Sequence, residues 1–208
     1  MSSWCTRRSR SPTRAALDAL GTVTHLYAPN TFHHLWMGEW AGAFPRATVH
    51  APAALRAKRP ELRVDRAHDR EGLGELREDF DEVHVDGFLL EETALVHRAS
   101  RTLLVADLVH NVGRPNDTWT KLYTKVMGFY DRVALSRAIR WTAFRDPGAA
   151  RESVARVLAL PFDRLLVGHG EPVEHGARDA LLDAYRWLRP RGRALLPTGA
   201  PPRRGYCG

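Results

Sequence analysis

The sequence has little cysteine and no long apolar run. Cys5 and Cys207 are the only cysteines among 208 residues, so neither a disulfide framework nor a Cys-x-x-Cys zinc site is available. Apolar runs such as residues 102–106 are far shorter than the ~20 residues that cross a bilayer. No apolar segment typical of a signal peptide follows the basic N-terminus. We therefore expect a protein without a membrane span, located in a reducing cytoplasm.

Lysine is also scarce. All but three of the 31 basic residues are arginine, and the net charge is +7. Such a surplus raises nucleic acid or an anionic membrane surface as partners. The arginines are scattered, however, with the densest groups near the chain ends, and no nucleic-acid-binding motif is present. We interpret the bias as the codon usage of a GC-rich bacterial genome, and we expect no specific nucleic-acid partner.

The chain has enough apolar material for one core, because 44% of its residues are hydrophobic. We expect a single domain over residues 13–189, between a flexible N-terminal segment, 1–12, and a flexible basic C-terminal tail, 190–208. Hydrophobic periodicity predicts an alternation of helices and strands. Only Ala99 and Ser100 separate the predicted strands 92–98 and 101–107, which indicates a β-hairpin. The predicted helices cover 13–20, 53–57, 119–133, 147–160 and 176–188, and the predicted strands cover 23–28, 47–51, 82–86, 92–98, 101–107 and 162–167.

A mixed α/β pattern of this kind favours a layered domain with a mixed sheet. Three of the predicted strands lead into loops that carry imidazole or carboxylate groups. These groups are the ligands that Zn²⁺, Fe and Mn take in proteins. The loops contribute His33 and His34, then Asp107 and His110, and finally His169 between two glycines.

In this order the three segments resemble the metallo-β-lactamase superfamily of metal-dependent hydrolases. More narrowly, the chain is similar over residues 15–188 to the DUF4336 family of uncharacterised bacterial and plant proteins. The resemblance implies an αββα sandwich with mixed sheets. The segments that carry it are Ala-Pro-Asn-Thr-Phe-His-His at 28–34, Gly-Glu-Trp at 38–40, Lys-Arg-Pro at 58–60, Ser-Arg-Thr-Leu at 100–103, Asp-Leu at 107–108 and Gly-His-Gly at 168–170.

The resemblance also implies a reduced metal site. His34, Asp107 and His169 match superfamily ligands, and His33 stands where the superfamily has an aspartate, so it is the candidate catalytic base. Three ligands suffice for one divalent ion, with zinc preferred and iron or manganese as alternatives. Pro29, Thr31 and Phe88 replace the remaining three histidines of the superfamily, and His33, His110 and Glu91 are the available substitute ligands.

The start of the chain departs from the superfamily as well. Superfamily domains usually open with a pair of strands, whereas only residues 1–12 precede the first predicted helix. Either the start codon is placed late, or one sheet is truncated at its N-terminal edge.

Two functions remain open from the sequence. The first is a metal-dependent hydrolase that acts on a small-molecule ester, thioester, amide or phosphoester. The second is a degenerate, non-catalytic member that keeps the fold for binding or as a scaffold, and that holds no metal. In that case His33 and His34 are ordinary loop residues and Asp107 is a helix or turn cap. The sequence indicates neither the substrate nor the oligomeric state.

Overall fold

The computed structural model describes residues 11–188. Most of the predicted terminal segments, 1–10 and 189–208, lie outside these residues. The helices are α1 (Ser11–Asp18), α2 (Met37–Ala43), α3 (Ala53–Lys58), α4 (His68–Glu71), α5 (Thr118–Met127), α6 (Arg137–Thr142), α7 (Pro147–Ala159) and α8 (Ala177–Ala184). The strands are β1 (His25–Tyr27), β2 (Thr48–Ala51), β3 (Arg66–Ala67), β4 (Phe80–His84), β5 (Thr93–His97), β6 (Thr102–Val105) and β7 (Arg164–Val167). Two 3₁₀ turns cover Gly74–Glu78 and Arg186–Leu188.

The strands form two sheets. The first has the order β1-β2-β3 and is parallel throughout. The second has the order β4-β5-β6-β7, with antiparallel pairs followed by the parallel pair β6 and β7. The predicted hairpin is confirmed, since β5 and β6 pair antiparallel with Val96 opposite Leu103. The predicted mixed α/β architecture is confirmed as well.

Helices cover the outer face of each sheet. Successive side chains of a strand point to opposite faces, so every second residue contacts the helical layer. In the first sheet, Leu26 and Val49 pack with Trp40 of α2 and Leu55 of α3. In the second sheet, the outward residues pack against α7 and α8. This larger cluster includes Val96, Leu103, Val105, Leu165 and Val167 from the strands, with Val154, Leu158 and Leu181 from the helices.

The inner faces of the sheets enclose a layer that is partly polar. Tyr27 of β1 contacts a small apolar cluster with Leu95 and Leu104 of the second sheet. The ring of Tyr27 also stacks on His68 at 4.5 Å, and His68 Nε2 lies 3.0 Å from the Ala28 carbonyl oxygen. His50 Nε2 lies 3.0 Å from His25 Nδ1. Imidazoles therefore replace part of the aliphatic packing expected between two sheets.

Two helices show how local signals set boundaries. Asp146 caps α7 by accepting hydrogen bonds from the Gly148 and Ala149 amides, as the Asp-Pro pair predicts. The helix predicted over 119–133 is wrong in its second half, because α5 ends at Met127. Gly128 adopts φ +83° and its amide bonds back to the Thr124 and Lys125 carbonyls, which closes the helix.

Membrane crossing was not expected from the sequence. Across residues 11–188, no helix combines the length and the apolar character that a bilayer span needs.

The histidines between the sheets predict a loss of stability in mild acid. Burial lowers the pKa of both His50 and His68 to about 4. Below about pH 6.5 the unfolded chain binds protons that the native protein does not, so the free energy of unfolding falls by roughly 1–3 kcal/mol per histidine as the pH drops towards 4. Urea unfolding at pH 7.5, 6 and 5 measures this slope. The slope should flatten in a His50→Asn, His68→Gln double variant; an unchanged slope would assign the acid sensitivity to other groups.

Candidate metal centre

The parallel pairing of β6 and β7 brings Asp107 and His169 together. Val105 lies opposite Val167 at the end of the pair. Two residues beyond the end of each strand come Asp107, after β6, and His169, after β7. The two side chains therefore emerge at the same edge of the sheet. The Asn111 amide bonds to the His169 carbonyl at 2.9 Å, which keeps the two loops together beyond the strands.

Two glycines allow the close approach of these loops. A Cβ on Gly168 would lie 3.0 Å from the Ala106 carbonyl oxygen and 3.2 Å from Cε1 of His33. Gly170 has φ +116°, and a Cβ there would lie 2.0 Å from the Asn111 carbonyl oxygen. The Gly-His-Gly turn is therefore required by backbone packing around His169, whatever the chemistry of the imidazole.

The loop after β1 supplies the third side of the site. The Asn30 side-chain oxygen accepts hydrogen bonds from the Phe32 and His33 amides at 2.9 and 2.8 Å, which curls the loop into a tight turn. Lys58 donates to the Thr31 carbonyl at 2.8 Å and holds the loop against α3. This fixed turn points His33 towards Asp107.

Three ligand atoms converge as a result. Nε2 of His33 lies 3.2 Å from Oδ1 of Asp107, and Nε2 of His169 lies 3.0 Å from the same oxygen. All three ligand atoms lie within 4.8 Å of one another. His33 and Asp107 are buried, whereas the His169 side chain is 46% exposed. The centre is therefore open to solvent on the His169 side.

A second buried carboxylate lies behind Asp107. The side-chain nitrogen Nδ2 of Asn30 lies 2.8 Å from Oδ2 of Asp107 and 3.0 Å from Oε2 of Glu92. Glu92 also accepts hydrogen bonds from the backbone amides of Ala106 and Asp107 at 2.7 and 2.8 Å. Asn30 and Glu92 thus fix both the backbone and the side chain of Asp107.

The charges of the site follow from these contacts. Burial acts to raise the pKa of Asp107, but hydrogen bonds from His169, His33 and Asn30 outweigh it and hold that pKa well below its usual range. Burial also acts to lower the pKa of His33, and the contact with Asp107 reverses the direction and raises it. Burial and the neighbouring Asp107 charge raise the pKa of Glu92. Asp107 therefore ionises at a lower pH than Glu92.

The other sequence candidates lie outside this group of three. His34 is buried, and its pKa is lowered by burial and by the positive charges of Lys58 and Arg59. His110 stacks on the His169 ring with centroids 5.3 Å apart, without joining the converging ligand atoms. Glu91 adopts φ +52° in the turn before β5 and is not part of the group. The structure thus places His33 beside Asp107 and His169, where the motif match selected His34.

Asn30 and Glu92 were missed as site residues. Glu92 begins the strand predicted over 92–98, where a carboxylate suggests a solvent-exposed position. A signal for Asn30 was present in the Pro-Asn-Thr turn, since asparagine after a strand favours capping of its own loop. Nothing in the sequence indicates that one amide bridges two carboxylates distant along the chain.

Comparison with known proteins supports the fold. The chain resembles a crystal structure of DIM-1 metallo-beta-lactamase with a TM-score of 0.51 and 9% identity, covering 90% of this chain and 80% of that one. A crystal structure of the same enzyme exposed to ceftazidime is similar, with a TM-score of 0.48 and 10% identity, covering 90% of this chain and 78% of that one. No family model and no curated protein sequence matches the chain. The match with a TM-score of 0.51 shows that the chain has a metallo-β-lactamase-like fold.

Removing the Asn30 amide should destabilise the protein. In Asn30→Ala, the buried Asp107 and Glu92 carboxylates lose a shared donor, and we expect the free energy of unfolding to fall by about 2–3 kcal/mol. Asn111→Ala is the matched control, because its amide donates to the Glu171 carbonyl near the surface. We expect that variant to lose less than about 1 kcal/mol. Equal losses in urea unfolding would contradict a special role for Asn30.

Proposed function

We propose that the protein is a hydrolase-like metal-binding protein with one divalent ion held by His33, Asp107 and His169. The observation that carries the proposal is the convergence of three ligand atoms at one edge of the sandwich. Zinc is the preferred ion, because two imidazoles and a carboxylate are a common zinc ligand set, with iron or manganese as alternatives. His33 takes the ligand role that the sequence gave to His34.

The residues fit such an ion. Nε2 of both histidines faces Oδ1 of Asp107, so one ion can contact all three side chains. Asn30 holds the second oxygen of Asp107, which is the kind of outer contact that orients metal ligands. A bound ion of this type supplies Lewis acidity and a water molecule of lowered pKa.

The protein groups would then orient and shield the reaction. Asp107 is held rigidly through Glu92 and Asn30, so the ligand geometry is set before substrate arrives. The exposed side of His169 leaves access for a small-molecule ester, thioester, amide or phosphoester. In this arrangement Nε2 of His33 acts as a metal ligand, and the role of His33 as catalytic base stays a prediction from the sequence.

We further propose that the chain is a divergent relative of the DUF4336 family, from the bacterial cytoplasm. Support comes from where the matching residues lie. Asn30 and His33 build one side of the site, Lys58 anchors that side, and Gly168 leaves room for the His33 ring. Four of the six matching segments therefore lie around one centre.

A non-catalytic scaffold is the second candidate. Asp107 already faces His33, His169 and Asn30 at hydrogen-bond distance, so the buried carboxylate is satisfied without an ion. A degenerate member could retain these residues as a structural cluster. Metal content separates the two functions.

The test compares two neighbouring histidines. The chain is purified without a His-tag or chelators, and bound metal is measured by elemental mass spectrometry, beside His33→Gln and His34→Gln. We expect about one ion per chain in the wild type and in His34→Gln, and at least a tenfold loss of occupancy in His33→Gln, because of these two histidines it is His33 that faces Asp107. Cobalt substitution gives a second readout, since the visible absorption of bound Co²⁺ reports its ligands.

Two results would count against the proposal. If His34→Gln loses the ion and His33→Gln keeps it, the ligand set taken from the motif match is the correct one. If the folded wild type takes up neither Zn²⁺, Mn²⁺ nor Co²⁺, the scaffold function is favoured instead.

A further inference from the structure

Helix α5 presents an apolar stripe to solvent. Trp119 is 81% exposed, Tyr123 is 54% exposed, and Leu122 and Val126 are each 52% exposed. Their spacing of three and four residues places all four on one side of the helix. We call these four residues the α5 stripe. A helix that belongs only to the core of a domain would bury such a stripe.

The polar side of α5 faces the protein instead. Thr124 is the buried residue of the helix, with 1% exposure. Its hydroxyl group donates to the Thr120 carbonyl at 2.9 Å, so its burial leaves no donor unsatisfied. The helix is also well formed at both ends, with the Asp117 cap and the Gly128 turn. The outward direction of the α5 stripe is therefore a feature of a well-defined helix.

Positive charge concentrates in the stretch of sequence that contains this helix. Residues 113–145 contain seven basic and two acidic residues, so this segment carries +5 of the net charge of +7. Of the two acids, Asp117 caps α5 and Asp131 pairs with Arg114 at 2.6 Å. The remaining cations of the segment have no carboxylate within ion-pair distance among the described residues. They are Lys121, Lys125, Arg132, Arg137, Arg140 and Arg145.

Area and charge together indicate whether the α5 stripe contacts another protein, a second copy of this chain or a membrane. Four side chains of this size offer roughly 500 Å², which is less than the ~800 Å² that each partner buries in a standard protein interface. In a dimer through this surface, the basic residues beside one stripe would also face those of the second copy, and like charges repel. A bilayer that contains anionic lipid has negatively charged headgroups above apolar acyl chains. Such a surface matches both the apolar α5 stripe and the cations beside it.

We propose that α5 is a peripheral membrane-contact element that lies flat on bilayers containing anionic lipid. The α5 stripe enters the interface between headgroups and acyl chains, where tryptophan and tyrosine are favoured. Lys121 and Lys125 contact lipid phosphates, together with Arg132 and Arg137, which donate to backbone carbonyls at the C-terminal end of α5. The chain adheres without crossing the bilayer, and the binding needs no metal in the centre described above.

Vesicle co-sedimentation of the full chain tests the proposal. The vesicles are phosphatidylcholine alone, or phosphatidylcholine with about one-third phosphatidylglycerol, at a salt concentration near 0.15 M. The variants are Trp119→Ser with Leu122→Ser, and the matched control is Trp141→Ser on α6, whose side chain is also largely exposed. We expect wild type and control to bind the anionic vesicles, and the stripe variant to bind at least about tenfold more weakly.

Three results would overturn the proposal. The first is wild type that binds anionic vesicles no better than neutral ones. The second is a stripe variant that binds as tightly as wild type, which would assign the binding to basic residues elsewhere, such as the arginines near the chain ends. The third is a dimer in sedimentation analysis that the stripe variant abolishes, in which case a second copy covers the stripe. Unchanged circular dichroism and thermal unfolding of the variants confirm that folding is not the cause.

Discussion

Two buried carboxylates lie close together at the edge of this sandwich, and the surrounding structure is arranged to hold them. Like charges repel strongly in a low-dielectric interior unless hydrogen bonds compensate. Here the Asn30 amide lies at hydrogen-bond distance from both Glu92 and Asp107, and two backbone amides donate to Glu92. Because Asn30 follows a strand of the first sheet and both carboxylates belong to the second, the same contacts join the two sheets. The position of His33 depends on them too, since its amide is bound by Asn30.

Much of the fold follows from local signals in the sequence. The apolar strand leading to His169 and the hairpin around Ser100 are marked by hydrophobic pattern, and α7 is marked by its Asp-Pro start. The elements that the sequence did not reveal are short. Strand β3 has two residues and α4 has four, so neither is long enough to show a period. Helix α2 begins without a side-chain cap and contains two glycines, which weakens its helical signal.

The sequence named candidate ligands on three loops, and the structure brings His33, Asp107 and His169 of those loops together. The parallel strands β6 and β7 end at one edge of their sheet, which brings Asp107 and His169 together. The loop of His33 follows β1 of the other sheet, and only the family resemblance placed it beside them in advance. Adjacent positions in a tight turn point in different directions, and hydrogen bonds from distant residues such as Lys58, together with the Asn30 contacts, hold His33 towards Asp107. Glu92 was missed because its burial depends on partners far along the chain. The outward face of α5 could not be foreseen either, since periodicity gives the stripe but not the side on which the helix packs.

The pairing of β6 with β7 has a consequence for the order of folding. Asp107 and His169 meet across 62 residues of sequence, whereas β4, β5 and β6 pair with their immediate neighbours. Long-range pairings carry a larger loop-closure entropy and form late. During synthesis, the hairpin strands and the loop of His33 leave the ribosome well before β7 does. Until the chain has emerged past residue 169, the nascent protein carries an unpaired edge at β6 and lacks one side of its centre.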